Sequence, residues 1–432
     1  MSKLYRLTTQ VVCLALLLVL GAAVLPVNAK IPIVMWLSSQ PVGVNDWAKQ
    51  FQDEFNAQNP DIDLTVEVYP SVSTQREKLL IAIAGGVAPD IFYESSNTMG
   101  QWMLNQVATP LDKYLDAMPD KRDLMPDVLR GVQYQGKIWA LPFSVWPVND
   151  LYNLDLFSQQ GIALPRDWNE MITAARRLTK VDPNSGAVIV NGYRRATSDL
   201  ANFIDLQLAM EQLGATVIDV DATKSSINSM EGRQALNYMY ELGLAGMPNG
   251  RGGSDTTAIL NGTVAVQHMF LTYTMANMVS EIQASGRNFR VARYVGPEAG
   301  KDLVHHNAGT LFMVSNTKYP DAAWRVMQAW IERDNLKNYL MAHGSTLSVR
   351  ISQATDNDLR SRPYAEEMMF SLVPPITSYG PTNPFFTAFR LPAGAFITQA
   401  LKGQISIESA LEQAQSLIDT IIAEEVANLQ SK

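Results

Sequence analysis

The chain has 432 residues, a length that predicts two domains or lobes rather than a single core. Its formal net charge of −8, with no basic run in the later sequence, argues against a surface that binds nucleic acid or another polyanion. The one cysteine, Cys13, lies in an N-terminal apolar run, so the remaining chain has no thiol and no disulfide.

The N-terminus has the pattern of a secretory signal peptide. Lys3 and Arg6 precede an apolar run over residues 11–25, and Val27-Asn28-Ala29 then supplies small residues where a signal peptidase cuts. We therefore predict a signal peptide over residues 1–29, with an uncleaved membrane anchor as the alternative. Because no cysteine stands at the cleavage point, there is no lipobox, and we predict a free periplasmic protein.

The segment after this leader predicts a strand, a helix and a second strand. Residues 31–37 form a nearly continuous apolar run, typical of a strand buried on both faces of a parallel sheet. Trp47, Phe51 and Phe55 then recur every four residues on one face of a predicted helix. Residues 62–68 alternate apolar and polar side chains, which predicts the second strand and a βαβ unit.

The same order then repeats, with a predicted helix over residues 76–84 and a third strand over residues 89–93. Ligands of open parallel sheets bind beyond the carboxyl ends of the strands. The polar loops after the first and third strands are therefore candidate ligand sites, with ordinary solvated loops as the alternative. The candidate residues in these loops are Ser38, Ser39, Gln40, Glu94 and Asn97.

The later sequence continues the alternation of strands and helices. A turn at Gln135-Gly136 predicts a hairpin, and Asp167 is predicted to cap a helix. A long helix is predicted over residues 321–341, closed by His343-Gly344, and a final helix with one apolar face is predicted after Ser406. This alternation predicts an α/β chain.

Several short motifs resemble those of a known family. Residues 136–142 read GKIWALP, residues 152–157 read YNLDLF, and residues 85–92 upstream read GGVAPDIF. Further matches in the same order lie at residues 161–170, 260–266, 316–324 and 401–404. The ordered set resembles the family 1 extracellular solute-binding proteins, the maltose-binding-protein-like receptors of ABC importers, over essentially the whole predicted mature chain.

The resemblance implies an α/β, two-lobed periplasmic-binding-protein fold (type II), with a ligand cleft between lobes joined by crossing hinge segments. The implied N-terminal lobe comprises residues 30–143 and 267–313, and the implied C-terminal lobe comprises residues 144–266 and 314–432. Implied crossings lie near residues 144–147, 264–269 and 311–315. The lobes are expected to close on the solute by a hinge motion.

Trp146 is a ligand residue that the resemblance implies. It lies four residues after Pro142, at the crossing that begins with Ser144, where family members place a residue that faces the cleft. Its indole is expected to offer a flat apolar face to sugar C–H groups and one N–H donor. Packing inside the hinge is the alternative.

The resemblance implies further contacts and departs from the family pattern at one of them. Glu94 and Asn97 fall where maltose-type receptors place aromatic and polar contacts, so a different solute is expected. Many members carry a glycine and a tryptophan after the second crossing; here Tyr273 is expected to supply the stacking ring. Gly309 is expected to offer a backbone donor. Arg390 matches an arginine that glycerol-phosphate receptors of this family use on the phosphate, with a surface ion pair as the alternative.

The sequence has no nucleophile elbow, phosphate loop or metalloprotease helix. The histidines of the His305-His306 pair point apart on a strand, which argues against metal chelation. We predict that the protein is not an enzyme and has no cofactor and no metal. An exported carbohydrate-active enzyme is the alternative; it would need two cleft carboxylates, of which only Glu94 is placed.

The predicted function is that of the periplasmic solute-binding component of an ABC importer. It would capture a small carbohydrate or polyol between its lobes and deliver the solute to the permease subunits in the membrane. A receptor for glycerol 3-phosphate or a phosphodiester, favoured by Arg390, is the alternative within the family. We expect a monomer without a nucleic-acid partner, and an added role in chemosensing stays open.

Overall fold

The structure, a computed structural model, describes residues 29–38, 42–218, 223–250, 252–253, 257–269, 278, 280–373, 376–378 and 383–430. The predicted signal peptide up to residue 28 lies outside these ranges, as do the site candidates Ser39, Gln40 and Tyr273. Within the described ranges, no helix combines the length and the apolar composition that crossing a membrane requires.

The strands are β1 (Ile31–Ser38), β2 (Ile62–Tyr69), β3 (Ile91–Ser95), β4 (Gln133–Tyr134), β5 (Lys137–Ile138), β6 (Leu141–Pro147), β7 (Asn149–Asn153), β8 (Lys180–Val181), β9 (Val188–Val190), β10 (Val266–Met269), β11 (Phe289–Ala292), β12 (Val304–Met313), β13 (Leu347–Ser348) and β14 (Ile376–Ser378). The α-helices are α1 (Val42–Gln58), α2 (Val72–Ala84), α3 (Met99–Leu104), α4 (Asp112–Ala117), α5 (Pro126–Arg130), α6 (Leu154–Gln159), α7 (Trp168–Leu178), α8 (Asp199–Gln212), α9 (Met230–Gly246), α10 (Thr257–Leu260), α11 (Pro320–Trp330), α12 (Arg333–His343), α13 (Asn357–Arg360), α14 (Ala365–Ser371), α15 (Phe386–Leu401) and α16 (Ile407–Gln430).

The larger sheet has seven strands, in the order β13-β6-β12-β3-β1-β2, with β14 beside β12. β1 pairs in parallel with β2 and β3, whereas β12 runs antiparallel to β3 and β6. The apolar run of β1 suits this position, because helices cover the sheet around it. The βαβ unit and the hairpin turn, now β4–β5, that the sequence predicts are confirmed.

The body around the larger sheet, here the first lobe, has an aromatic core. The aromatic residues spaced along the predicted helix contribute to this core: the ring of Trp47 lies 4.6 Å from that of Trp330 and 5.5 Å from that of Tyr339. Phe51 meets Trp330 edge-on at 5.0 Å. Rings at these distances and angles attract each other beyond the effect of area burial, which fixes α1 against α11 and α12.

A second lobe forms around the three-stranded antiparallel sheet β10-β7-β11. Helices α7, α8, α9, α15 and α16 supply its apolar core. The carboxylate of Asp167 accepts a hydrogen bond from the backbone N–H of Glu170, so the predicted cap of α7 is confirmed. The apolar face predicted for the final helix is also confirmed, since Leu411 and Ile418 of α16 are fully buried.

The lobes are joined where the chain passes from one sheet to the other. The first crossing is Val148, between the last residue of β6 and the first of β7. The second lies between Leu303, which bridges to Tyr294 in the second lobe, and Val304, the start of β12. The two crossings touch, because the backbone N–H of Val148 donates to the carbonyl of His305 at 2.8 Å.

The packing departs from the predicted crossings and lobe boundaries. Residues 264–269 and 311–315, the other two predicted crossings, lie mostly within β10 and β12. β10 and β11 pair with β7 in the second lobe, although residues 267–303 were assigned to the first. Conversely, α11 and α12 pack in the first lobe, although residue 314 onward was assigned to the second. Helical periodicity shows which face of a helix is buried but not which sheet buries it.

The single helix predicted over residues 321–341 is two helices, α11 and α12. Ile331 and Glu332 separate them, and the buried side chain of Ile331 keeps the apolar pattern continuous through the break. The predicted helix end is confirmed at His343, where Gly344 adopts a left-handed conformation with φ of 83°. Glycine takes this conformation without a Cβ clash.

Candidate functional site

The candidate site lies at the edge of the first lobe where β6 ends and β12 begins. Trp146 is the penultimate residue of β6, and its Cα pairs with that of Asn307 in β12. On the other side of β6, Leu347 pairs with Val145, so continuing this register by one residue places Thr346 beside Trp146. The sheet therefore brings together Trp146, Asn307 and Thr346, from three distant parts of the chain, directly beside the first crossing.

The indole of Trp146 is enclosed but does not belong to a core. Its side chain is 8% exposed, yet it is part of none of the three clusters of buried apolar side chains in the described chain. Its neighbours Phe143 and Val145 both belong to the core of the first lobe. An enclosed indole that lies next to the crossing and belongs to no apolar core is suited to a ligand surface.

The amide of Asn307 is oriented by its neighbours. Its Oδ1 accepts hydrogen bonds from the hydroxyls of Ser95 and Ser96, both at 2.8 Å, and from the backbone N–H of Ala308 at 2.9 Å. These three bonds occupy the oxygen as an acceptor, and no described residue accepts a hydrogen bond from Nδ2. This NH₂ group is a preorganised donor for a ligand oxygen. The sequence alone did not indicate Asn307, because only the sheet register brings it to Trp146.

Two buried hydroxyls at this edge lack hydrogen-bond partners in the described chain, Oγ of Ser144 and Oγ1 of Thr346. Such groups are rare in folded proteins and mark places where water or a ligand is bound. Gly309 is needed beside them, since a Cβ there would lie 2.7 Å from Oγ of Ser144 and 3.1 Å from the ring of Phe143. Gly309 thus acts by allowing close packing. We name Ser144, Trp146, Asn307 and Thr346 together the Trp146 cluster.

Glu94, which the sequence predicts to contact the ligand, is buried and paired with another side chain. Its carboxylate is buried and bonds to Nε and Nη2 of Arg76 at 3.0 and 2.8 Å, as well as to the backbone N–H of Ser95. Burial raises its pKa above the ordinary value, although the Arg76 guanidinium, the Ser95 N–H and the Thr98 hydroxyl act in the opposite direction. In this structure the carboxylate stabilises the turn after β3 and does not present itself to a ligand.

The other predicted residues lie in varied surroundings. Ser38 is fully buried at the end of β1, and Asn97 is half-buried in a short 3₁₀ helix, Ser96–Thr98. Arg390 is half-buried on α15 in the second lobe, where its guanidinium carbon lies 5.2 Å from the ring centre of Phe386. Tyr273 stays a prediction, since it lies outside the described residues.

The second lobe presents residues 191–197, here the rim segment, at its edge next to the crossing. This segment runs beside β10 in parallel: the N–H of Arg194 donates to Val266, and the N–H of His268 donates to Arg194, at 2.8 and 2.9 Å. β10 is antiparallel to β7, which begins directly after the first crossing. The rim segment therefore ends at the edge of the second lobe that lies next to the first crossing.

Comparison with known proteins gives the following matches. A family model described as bacterial extracellular solute-binding protein matches residues 41–336. The mannitol-binding protein of Pseudomonas aeruginosa is 25% identical over 399 residues, which cover 84% of this chain and 86% of that protein. A maltotriose-binding protein of Pyrococcus abyssi is 25% identical over 154 residues, 35% of this chain and 31% of that protein.

Two solved structures illustrate the likeness of the fold. The cyclic alpha-maltosyl-1,6-maltose binding protein of Arthrobacter globiformis superposes with a TM-score of 0.77 at 19% identity, covering 92% of this chain and 100% of that one. An ABC transporter solute-binding protein of Agrobacterium radiobacter K84, in complex with ribitol, gives a TM-score of 0.71 at 20% identity, covering 90% and 98%. These likenesses confirm the predicted α/β fold of two lobes.

Proposed function

Because this chain belongs to the bacterial extracellular solute-binding protein family, we propose that it captures a small carbohydrate or polyol between its lobes and delivers it to an ABC importer. The observation that carries this proposal is the Trp146 cluster, an enclosed indole flanked by neutral donors and acceptors beside the crossing. The names of the relatives, which include mannitol- and maltotriose-binding proteins, support the same solute class.

The chemistry of the Trp146 cluster suits a ligand with many hydroxyl groups. The indole face of Trp146 packs against C–H groups, which the ring attracts through its negative face. Nδ2 of Asn307 donates to a ligand oxygen, and the hydroxyls of Ser144 and Thr346 both donate and accept. None of these four side chains is charged, so a neutral polyhydroxylated solute is bound without an uncompensated charge.

We further propose that the solute is released unchanged. Glu94, the carboxylate that the enzyme alternative would use, is paired with Arg76, which argues against acid–base chemistry on a bound sugar. Export with cleavage near Ala29, delivery to membrane permease subunits and a monomeric state belong to the same proposal. They rest on the leader pattern and on the family.

A thermal-shift screen of the chain from Lys30 onward tests the function. The panel contains mannitol, ribitol, tagatose, maltotriose and glycerol 3-phosphate. A ligand that binds only the folded state at 1,000 times its Kd stabilises by about 4 kcal/mol, and we expect a shift of several degrees with a neutral member. A shift with glycerol 3-phosphate alone would support the phosphate alternative. If an oligosaccharide such as maltotriose were converted to products during incubation, the protein would be an enzyme and the proposed binding function would be wrong.

The Arg390→Ala variant separates the two solute classes. If the ligand is neutral, we expect its Kd to rise less than tenfold, because the arginine then supplies at most one hydrogen bond. If the ligand is glycerol 3-phosphate, removing a paired guanidinium costs about 3 kcal/mol, a Kd change of ~100-fold. Arg325→Ala is the matched control, since this arginine pairs with Asp61 on the surface of the first lobe. Calorimetric titration of both variants measures the effect.

A further inference from the structure

A buried cluster of charged side chains lies beneath the rim segment, outside the Trp146 cluster. Nδ1 of His268 lies 3.0 Å from Oδ1 of Asp150, and its Nε2 lies 2.9 Å from Oδ1 of Asp205. The other carboxylate oxygen of Asp205 lies 3.4 Å from Nη1 of Arg195. Both ring nitrogens of His268 thus face carboxylates, an arrangement that favours a proton on each nitrogen.

The cluster is largely buried and balanced in charge. The side chains of Asp150, His268, Asp205 and Arg195 are 3%, 13%, 13% and 6% exposed. Two carboxylates face one imidazolium and one guanidinium, so the cluster is neutral as a whole. Because buried charges are tolerated only when paired, each member holds the others in position.

These four residues belong to four separate pieces of the second lobe. Asp150 lies in β7 two residues after the first crossing, His268 lies in β10, Asp205 lies in the middle of α8, and Arg195 lies in the rim segment. Further bonds tie the rim to its surroundings: the carbonyl of Arg195 accepts from the N–H of Gly253 at 2.9 Å, and Nη1 of Arg195 donates to Oδ1 of Asn202.

α8 connects this cluster to the hinge. Near its C-terminal end, Oε2 of Glu211 lies 3.0 Å from Nε2 of His305, which belongs to β12 of the first lobe. The carbonyl of His305 in turn accepts from Val148, the first crossing. Through Asp205 and Glu211, one helix therefore contacts both the rim segment and the crossing strands.

We propose that His268 and Asp205 are positioning residues, which hold the rim segment at the angle to the crossing strands that ligand binding requires. The role of the rim segment in ligand binding rests on the function proposed above. The contacts by which Asp205 and His268 hold the rim segment do not. A rim free to move would have to be ordered when the ligand binds, and this ordering reduces affinity.

The Asp205→Asn variant tests the proposal, with Asp123→Asn as the matched control. Asp123 pairs at 3.1 Å with the buried Arg350 in the first lobe, which also pairs with Asp120 at 2.6 Å, so Asp123→Asn perturbs a buried ion-pair network outside the second lobe. Asp205→Glu, which keeps the charge, serves as the rescue variant. Hydrogen exchange of the rim segment, residues 191–197, and calorimetric Kd values for mannitol, ribitol and maltotriose are measured on the full mature chain.

We expect rim amides to exchange at least tenfold faster in Asp205→Asn, and the Kd of the bound probe to rise at least tenfold. Asp123→Asn should leave both the rim exchange rate and the Kd within twofold of the wild type, and Asp205→Glu should restore both in part. Equal rim exchange in the two Asn variants would overturn the proposal, as would faster exchange with an unchanged Kd. If the wild type binds no probe, the proposed solute class is wrong. The hydrogen-exchange rates of the rim amides then show by themselves whether Asp205 holds the rim segment.

Discussion

We expect the Trp146→Ala variant to bind its solute about 100-fold more weakly than the wild type while remaining folded. Removing an enclosed aromatic side chain from the centre of a binding surface costs about 3 kcal/mol, which corresponds to this factor in Kd. The fold should persist because Trp146 belongs to no apolar cluster of the described chain. Calorimetric titration gives the Kd, and circular dichroism with a melting curve reports the fold.

Trp139→Ala is the matched control for this prediction. Trp139 also lies in the first lobe, half-buried, and its indole N–H donates to the carbonyl of Tyr134 at 3.4 Å. It packs against the core and not beside the crossing. Its loss should lower the Tm and leave the Kd within twofold. An unchanged Kd in Trp146→Ala, together with a Tm loss as large as that of the control, would assign Trp146 to hinge packing.

The second large effect is a loss of stability in alkaline solution that depends on His268. Burial by itself lowers the pKa of this imidazole, but the carboxylates of Asp205 and Asp150 outweigh it and raise the pKa to about 10. The folded state therefore holds a proton that the unfolded chain loses near pH 6.5. The stabilisation is complete below pH 6.5 and is lost as the pH rises through 10, by about 1.4 kcal/mol per pH unit in between.

Neighbouring groups define the pH window of this measurement. Burial also raises the pKa of the tyrosines Tyr152, Tyr193 and Tyr238, so their contribution is lost above pH 10. Between pH 7 and 9.5 the slope is expected to come from His268. We expect urea unfolding of the wild type to show this slope, and His268→Gln to remove most of it and to lower stability by about 3 kcal/mol at pH 7.

His343→Gln is the control, because the pKa of His343 is shifted in the opposite direction from that of His268. Burial, with Arg362 nearby, lowers the pKa of His343 to about 4. Its contribution is present above pH 6.5 and is lost as the pH falls through 4, so this variant should change the acid limb and leave the alkaline slope intact. An alkaline slope that persists in His268→Gln would show that His268 is not the group that titrates.

The sequence by itself determined the elements that depend on local pattern. The apolar run of β1, the four-residue spacing of Trp47, Phe51 and Phe55, the cap at Asp167 and the helix end at Gly344 all appear as predicted. These features are readable because strand and helix periods, capping side chains and glycine conformations are properties of neighbouring residues. The ordered motifs likewise indicated the family without knowledge of the tertiary structure.

Only the tertiary structure decided which polar residues are available to a ligand. Glu94 follows a strand as the sequence requires, but Arg76, eighteen residues earlier, occupies its carboxylate. Asn307 carried no sequence signal, and it becomes a candidate because antiparallel pairing places it beside Trp146, 161 positions away.

The same holds for the lobe boundaries and for the charged cluster. β10, α8 and the rim segment bring His268, Asp205 and Arg195 together from distant positions, and no spacing in the sequence marks them as partners. Local pattern fixes the period and the buried face of each element. Which elements then meet depends on the packing free energy of the whole chain, because contacts between distant residues form only when both lobes have folded.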